Sequence, residues 1–119
     1  MNVFELVGKT ITAFDNHAEW PTFTTADGKR YAFDHWQDCC EHVRHISTFE
    51  VGDSIIGQPI TLAEDHHPED PSWWESGYSN DSHTWTHVVL RTATGGIDIW
   101  FLGESNGYYG ESVELNEIV

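Results

Sequence analysis

The chain has 119 residues, with 20 Asp plus Glu against 5 Lys plus Arg and a formal net charge of −15. That length is one domain's worth and buries roughly two-thirds of the surface its unfolded chain exposes, so it needs no staple to fold. The charge excludes direct binding to nucleic acid and to acidic membrane surfaces. It leaves basic protein surfaces and metal cations as attracted partners, or plain solubility as its use.

Six Trp, six Phe and four Tyr supply apolar area from few residues. No apolar run reaches the ~18 residues of a membrane span. Met1 to Val7 carries Glu5 and lacks a basic segment followed by an apolar one, so no signal peptide is expected. Two adjacent cysteines make no secreted disulfide framework, and a cytosolic protein is the default.

Leu6 to Phe14 is rich in β-branched and aromatic residues and predicts a first strand, with Asp15-Asn16-His17 as the turn after it. Trp20 to Thr25 predicts a second strand, whose Pro21 marks a strand start or a sheet edge. Ala26-Asp27-Gly28-Lys29 is a hairpin turn into Arg30–Trp36, which places Tyr31, Phe33 and His35 on one face. The segment His35-Trp36-Gln37-Asp38-Cys39-Cys40-Glu41-His42 follows as a turn between strands. Strand chemistry resumes over Val43–Phe49. Val51 to Gln58 reads as one short helical turn, capped by Asp53 and ended by Gly57. Pro59 to Ala63 starts another strand.

From about 64 to 82 the chain is acidic and Pro-containing, with Trp73-Trp74 in its middle, and reads as a long surface loop within a single domain spanning 1–119. Thr84–Thr92 and Ile97–Leu102 are the clearest strands, joined by the hairpin Ala93–Gly96. Gly103–Gly110 is turn-rich, and Ser112–Ile118 alternates strictly. The sum is an all-β chain, with one short helical turn, of about seven or eight antiparallel strands in a sandwich or partly open barrel.

Four groups of residues invite chemistry. His35, Cys39, Cys40, His42 and His45 are all legitimate zinc ligands, but adjacent cysteines point to opposite faces of a regular strand and zinc sites space them by two to four residues. No metal and no cofactor is therefore expected. A vicinal Cys39–Cys40 disulfide would need a strained small ring. A cysteine nucleophile with His35, His42 or His45 as base is chemically sensible, yet Asp38 and Glu41 do not favour a thiolate. The structural alternative buries one cysteine in the core while Asp38 or Gln37 ties the turn by bonding the backbone.

His66-His67 beside Asp65 could hold a transition metal, but a solvated loop is the simpler reading; His87, on one strand face with Trp85 and Val89, is a candidate core histidine. Glu104-Ser105-Asn106-Gly107-Tyr108-Tyr109 offers a tight turn with two rings suited to stacking or to a partner. Ser105 lacks a nucleophile-elbow context. Lastly, twenty carboxylates on a small β-domain could imitate duplex DNA, which carries about one charge per 1.7 Å of axis, and so occupy a basic groove. No phosphate-binding loop or dinucleotide fingerprint is present.

Taken together, His35–Glu41, Thr84-Trp85-Thr86, and Trp100 with Gly103–Tyr109 resemble a family of small phage proteins, common in actinobacterial viruses and known as a domain of unknown function. Leu6–Ile11 and Ile55–Ile60 fit its pattern too. Where that pattern often carries Phe-Tyr after Trp-Thr, this chain has His87-Val88. The resemblance implies a phage gene expressed in a host bacterial cytoplasm, and no reaction.

The expectation is a non-enzymatic phage accessory protein that binds a basic host protein, such as a nucleic-acid-handling or defence factor, and interferes with it. Asp38, Trp85, Trp100, Asn106, Tyr108 and Tyr109 are the candidate binding residues. The alternative is a binder of a small nucleotide-like ligand, with Lys29, Arg30, Arg44 and Arg91 as the cations available to a phosphate; a metal- or cysteine-dependent enzyme ranks third. An exposed edge strand would also allow a homodimer by strand addition.

Overall fold

The computed structural model describes residues 1–16 and 19–118; His17, expected in the first turn, lies outside them. Among the described residues eight strands run in order: β1 (Ile11–Asp15), β2 (Thr22–Thr25), β3 (Arg30–Asp34), β4 (His42–Gly52), β5 (Leu62–His66), β6 (Ser82–Arg91), β7 (Gly95–Ser105) and β8 (Glu114–Ile118). They form two four-stranded antiparallel sheets, ordered β1-β2-β3-β8 and β4-β7-β6-β5. The sheets face each other as a sandwich and do not close into a barrel.

The core between them follows from alternation. Phe23, Tyr31, Phe33 and Leu115 come from one sheet; Val88, Leu90, Ile97, Ile99 and Phe101 come from the other. Phe101 packs its ring on those of Phe33, Trp20 and His45. Burial costs nothing in unmade bonds, because every described buried side-chain polar atom has a partner.

Several local expectations change. Residues before β1 form a short 3-10 turn, Val3–Leu6, because Asn2 and Glu5 complete a capping box there. Leu6 and Ile11 are both fully buried, with a left-handed Gly8 between them that ends the turn. Val51 to Gln58 is not helical: β4 runs to Gly52, Asp53 bridges Gly95, and Ile55 is buried in the core. Gly52 takes a left-handed backbone conformation, which lets the chain leave β4 sharply. Strand β5 starts three residues later than Pro59 and takes residues 64–66 from the expected loop, which begins at His67.

Chain connectivity sets the site. β3 ends beside the start of β8, with Asp34 opposite Glu114. β4 begins beside the end of β7, with His42 opposite Glu104, and β6 begins there too, with His83 opposite Glu104. The two crossovers between sheets, 35–41 and 106–113, and the long loop 67–81 therefore gather at one end of the sandwich. Among the described residues no helix is long and apolar enough to cross a membrane.

Candidate functional site

Three loops at this end are held by three buried glutamates, Glu41, Glu104 and Glu111. Glu41 organises the crossover 35–41. Its carboxylate accepts from the N–H groups of Asp38 (3.0 Å) and Cys39 (2.8 Å), from Gln37 Nε2 (3.2 Å) and from His35 Nε2 (2.8 Å). The Cys39 N–H contributes most to holding this carboxyl down at about 2. Burial pushes the other way, and His35 and the Asp38 N–H add to the lowering. His35 Nδ1 reaches Ser112 O at 3.0 Å, so one imidazole joins both crossovers. Both its ring nitrogens face oxygens, one on each crossover.

Glu104 holds the long loop. It accepts from the N–H groups of Ser79 (2.7 Å) and Asn80 (3.2 Å) and from Arg44 Nη1 (3.1 Å). Burial pushes its carboxyl up, but the two N–H donors and the Arg44 guanidinium together bring it below the usual carboxylate range. Glu111 takes hydroxyl donors instead: Ser82, Thr84 at 2.8 Å, and Ser105 in a short bond. It reaches them because Gly103 lets the two backbones meet; a Cβ at Gly103 would stand 1.8 Å from the Glu111 carbonyl oxygen.

The long loop is pinned as well by aromatic rings. Side chains of β6 and β7 that do not enter the core point to the outer face of their sheet, and there lie Trp85 and Trp100, 6.0 Å apart between ring centroids. Trp73 packs edge-on against Phe49, Trp74, Trp85 and Trp100, and Trp74 packs against Trp85 at 5.1 Å. The Trp85 indole N–H donates to the Tyr78 hydroxyl (2.9 Å), and Tyr78 stacks on His83 at 3.6 Å. His87 stacks on Trp100 at 4.0 Å and bonds Asp98, so it belongs to this outer layer and not to the core. His67 Nδ1 donates to the Trp85 carbonyl, and His66 pairs with Glu64.

A groove of about 520 Å³ runs beside the loop, lined by His67, Pro68, Glu69, Asp70, His83, Thr84 and Trp85. Asp70 bonds His83 at 3.0 Å. The Tyr78 hydroxyl and then His83 hold its carboxyl below the usual range.

The candidate residues named from sequence fall into separate places. Trp85 and Trp100 touch one another under the loop, Trp85 buried and Trp100 half-buried. Asp38, Asn106 and Tyr108 are exposed and Tyr109 half-buried, in the two crossovers. Tyr108, 87% exposed, has no ring contact with Trp85 or Trp100, so the candidates form no single cluster. Asn106 accepts from the Tyr108 N–H, as the turn requires.

Two expectations for the cysteine loop are corrected. Neither cysteine is buried: Cys39 and Cys40 are both exposed and joined to each other as a disulfide. The backbone N–H groups go to Glu41 and not to Asp38, because the longer carboxylate folds back beneath the turn; Gln37 donates to the carbonyls of Cys39 and Glu41. Among the described residues no three His, Cys, Asp or Glu side chains are arranged to hold a metal, so His35, Cys39, Cys40 and His42 do not converge.

Sequence reasoning missed Glu41, Glu104 and Glu111 as structural latches. The signals present were the i, i+4 pair Gln37/Glu41 and the glycine immediately before Glu104.

No curated protein and no solved structure matches the chain. A family described as "Domain of unknown function (DUF7448)" matches residues 4–115, nearly the whole chain, and the protein belongs to that family.

Proposed function

We propose that the protein is a non-enzymatic binder that presents a fixed acidic surface to a basic protein of a bacterial host, as a phage accessory factor that interferes with that partner. The observation that carries this reading is the acidic loop tied down over the outer sheet face. Glu69, Asp70, Glu75 and Asp81 fall within the loop 67–81 with no Lys or Arg among them, and all are exposed, as is Glu64 on the adjoining strand β5. Trp73, Trp74 and the Glu104 latch hold this stretch in place. A rigid acidic surface loses little conformational entropy on binding, whereas a floppy acidic tail loses much.

Four of the chain's five Lys and Arg side chains pair with carboxylates outside that stretch. Lys9 pairs with Asp27, Lys29 with Glu117, Arg44 with Glu104 and Arg91 with Asp98. Within the groove, the exposed carboxylates Glu69 and Asp70 stand next to each other and suit a lysine or arginine side chain.

The test compares the protein with a variant carrying Glu69→Gln, Glu75→Gln and Asp81→Asn in affinity capture from bacterial lysate, followed by titration of the purified captured protein. The expected result is a basic partner bound at low salt, with affinity falling at least about tenfold between 50 and 300 mM salt, and bound weakly by the variant. Equal binding by the variant, or binding insensitive to salt, would refute the reading.

A further inference from the structure

We propose that Cys39–Cys40 is a reversible thiol–disulfide site, opened and closed by small neutral or cationic thiols, on a loop whose shape does not depend on the bond. Three observations exclude the usual structural uses of a disulfide here. The two residues are adjacent, with a sequence separation of 1. The restriction a cross-link places on the unfolded chain grows with the logarithm of the loop it closes, so one between neighbours stabilises least of all. Both residues are exposed, so neither sulfur fills the core, although cysteine is among the most buried residue types. The loop is already held without them: Glu41 accepts the N–H groups of Asp38 and Cys39, and Gln37 Nε2 donates to Glu41 O at 2.6 Å. Two sulfurs that neither pack nor staple, on a rigid exposed turn, are left open to attack from solvent.

The step is a two-electron exchange. A thiolate of the small thiol attacks the Sγ of one cysteine and forms a mixed disulfide, and the other cysteine leaves as a thiolate and takes a proton from water. A second thiol molecule attacks the sulfur of the first, releasing the small-molecule disulfide and leaving the second cysteine as a thiol. The chain gains two electrons and two protons, and two thiols become one disulfide; the reverse exchange closes the bond. Asp38 is exposed beside the pair on a chain of net charge −15. That field repels an anionic attacker, so cysteamine should outpace glutathione, with a preference that shrinks as salt rises.

The experiment uses the full chain. Alkylation with intact mass measurement counts thiols before and after reduction, stopped-flow kinetics compares cysteamine, mercaptoethanol and glutathione at low and high salt, and amide exchange follows residues 36–42. The expected result is no free thiol in the oxidised protein and two in the reduced one. Closure should return on adding oxidised dithiothreitol, with exchange over 36–42 changed less than about twofold. Cysteamine should lead glutathione by at least fivefold at low salt. Cys39→Ser and Cys40→Ser should each keep the thermal midpoint of the parent. Thiols that oxidised dithiothreitol cannot convert to an intramolecular bond would overturn the proposal. So would reduction that opens residues 36–42 as far as Glu41→Gln does, or an equal rate for cysteamine and glutathione at low salt.

Discussion

Trp73 is the side chain on which the acidic surface turns, and Trp73→Ala tests that directly. Trp73 is 40% exposed, so about three-fifths of it is covered by Phe49, Trp74, Trp85 and Trp100. A tryptophan offers up to roughly 250 Å², and three-fifths of that at ~25 cal/mol/Å² corresponds to about 3.5 to 4 kcal/mol of gross stabilisation. Releasing a few loop residues regains backbone entropy and offsets part of it, leaving a net local loss of about 2 kcal/mol. That is roughly a thirtyfold rise in the opening equilibrium. The loss should stay local. Glu104 still holds Ser79 and Asn80, and the core between the sheets is untouched. Amide exchange by mass spectrometry should therefore quicken about thirtyfold over residues 67–77, with β2 and β3 unchanged, and partner affinity should fall. Exchange that rises equally in β2 and β3 would mean that the tryptophan layer supports the whole fold. Unchanged exchange over 67–77 would mean that the rings do not pin the loop. Either result refutes the reasoning.

Three further outcomes follow from the latches. Gly103→Ala forces a Cβ to within 1.8 Å of the Glu111 carbonyl oxygen, and backbone cannot yield as a side-chain tip does; urea denaturation should show a loss of about 2–3 kcal/mol. Glu111→Ala leaves Ser82, Thr84 and Ser105 without their common acceptor, and a loss of about 2 kcal/mol is expected by the same assay. The Glu41 carboxyl is held at about 2 in the fold, against 4.5 when free. A lowered folded value means that its contribution is complete above pH 4.5 and disappears as pH falls through 2. Thermal midpoints taken across that window should therefore fall more steeply for the parent than for Glu41→Gln, and parallel curves would show that the latch does not titrate with the fold.

Much of the architecture was legible because it rests on a period of two. Tyr31 and Phe33, or Val88 and Leu90, could be placed on one face from spacing alone, and both are core pairs. The same spacing put Trp85, His87 and Val89 on one face, but that face is the outer one and not the core expected for His87, and its covering was not readable there. It depends on a loop folding back over the sheet, and the only trace of that in the sequence is a Trp-Trp pair among acidic residues. The Val51–Gln58 segment failed for a related reason. Asp53 and Gly57 are good cap and stop residues, but Asp53 bridges Gly95 and Ile55 is drawn into the core, so tertiary contacts override a weak local preference. The cysteine turn was placed correctly between strands, but its acceptor was not, since the acceptor is decided by which carboxylate lies beneath the turn.

The charge divides into two populations with opposite physical roles. Fifteen of the twenty carboxylates are exposed, and the three buried ones each meet several donors. A buried carboxylate is tolerable only when such donors replace its water, so Glu41, Glu104 and Glu111 are bound to this fold and cannot be exchanged freely. Exposed carboxylates repel one another and stabilise little, so the acidic stretch 64–81 has weak claims on stability. The same type of side chain thus fixes the loops at one end of the sandwich and gives the stretch over its outer face its charge. The two roles are separable by substitution. Neutralising Glu69, Glu75 and Asp81 should leave the fold intact or slightly firmer, while neutralising any one latch should loosen a loop with little change in net charge. A partner that responds only to charge would ignore the latch variants. One that reads the fixed shape of the acidic surface would lose affinity for Glu104→Gln at almost unchanged charge, and that comparison distinguishes shaped recognition from mere attraction.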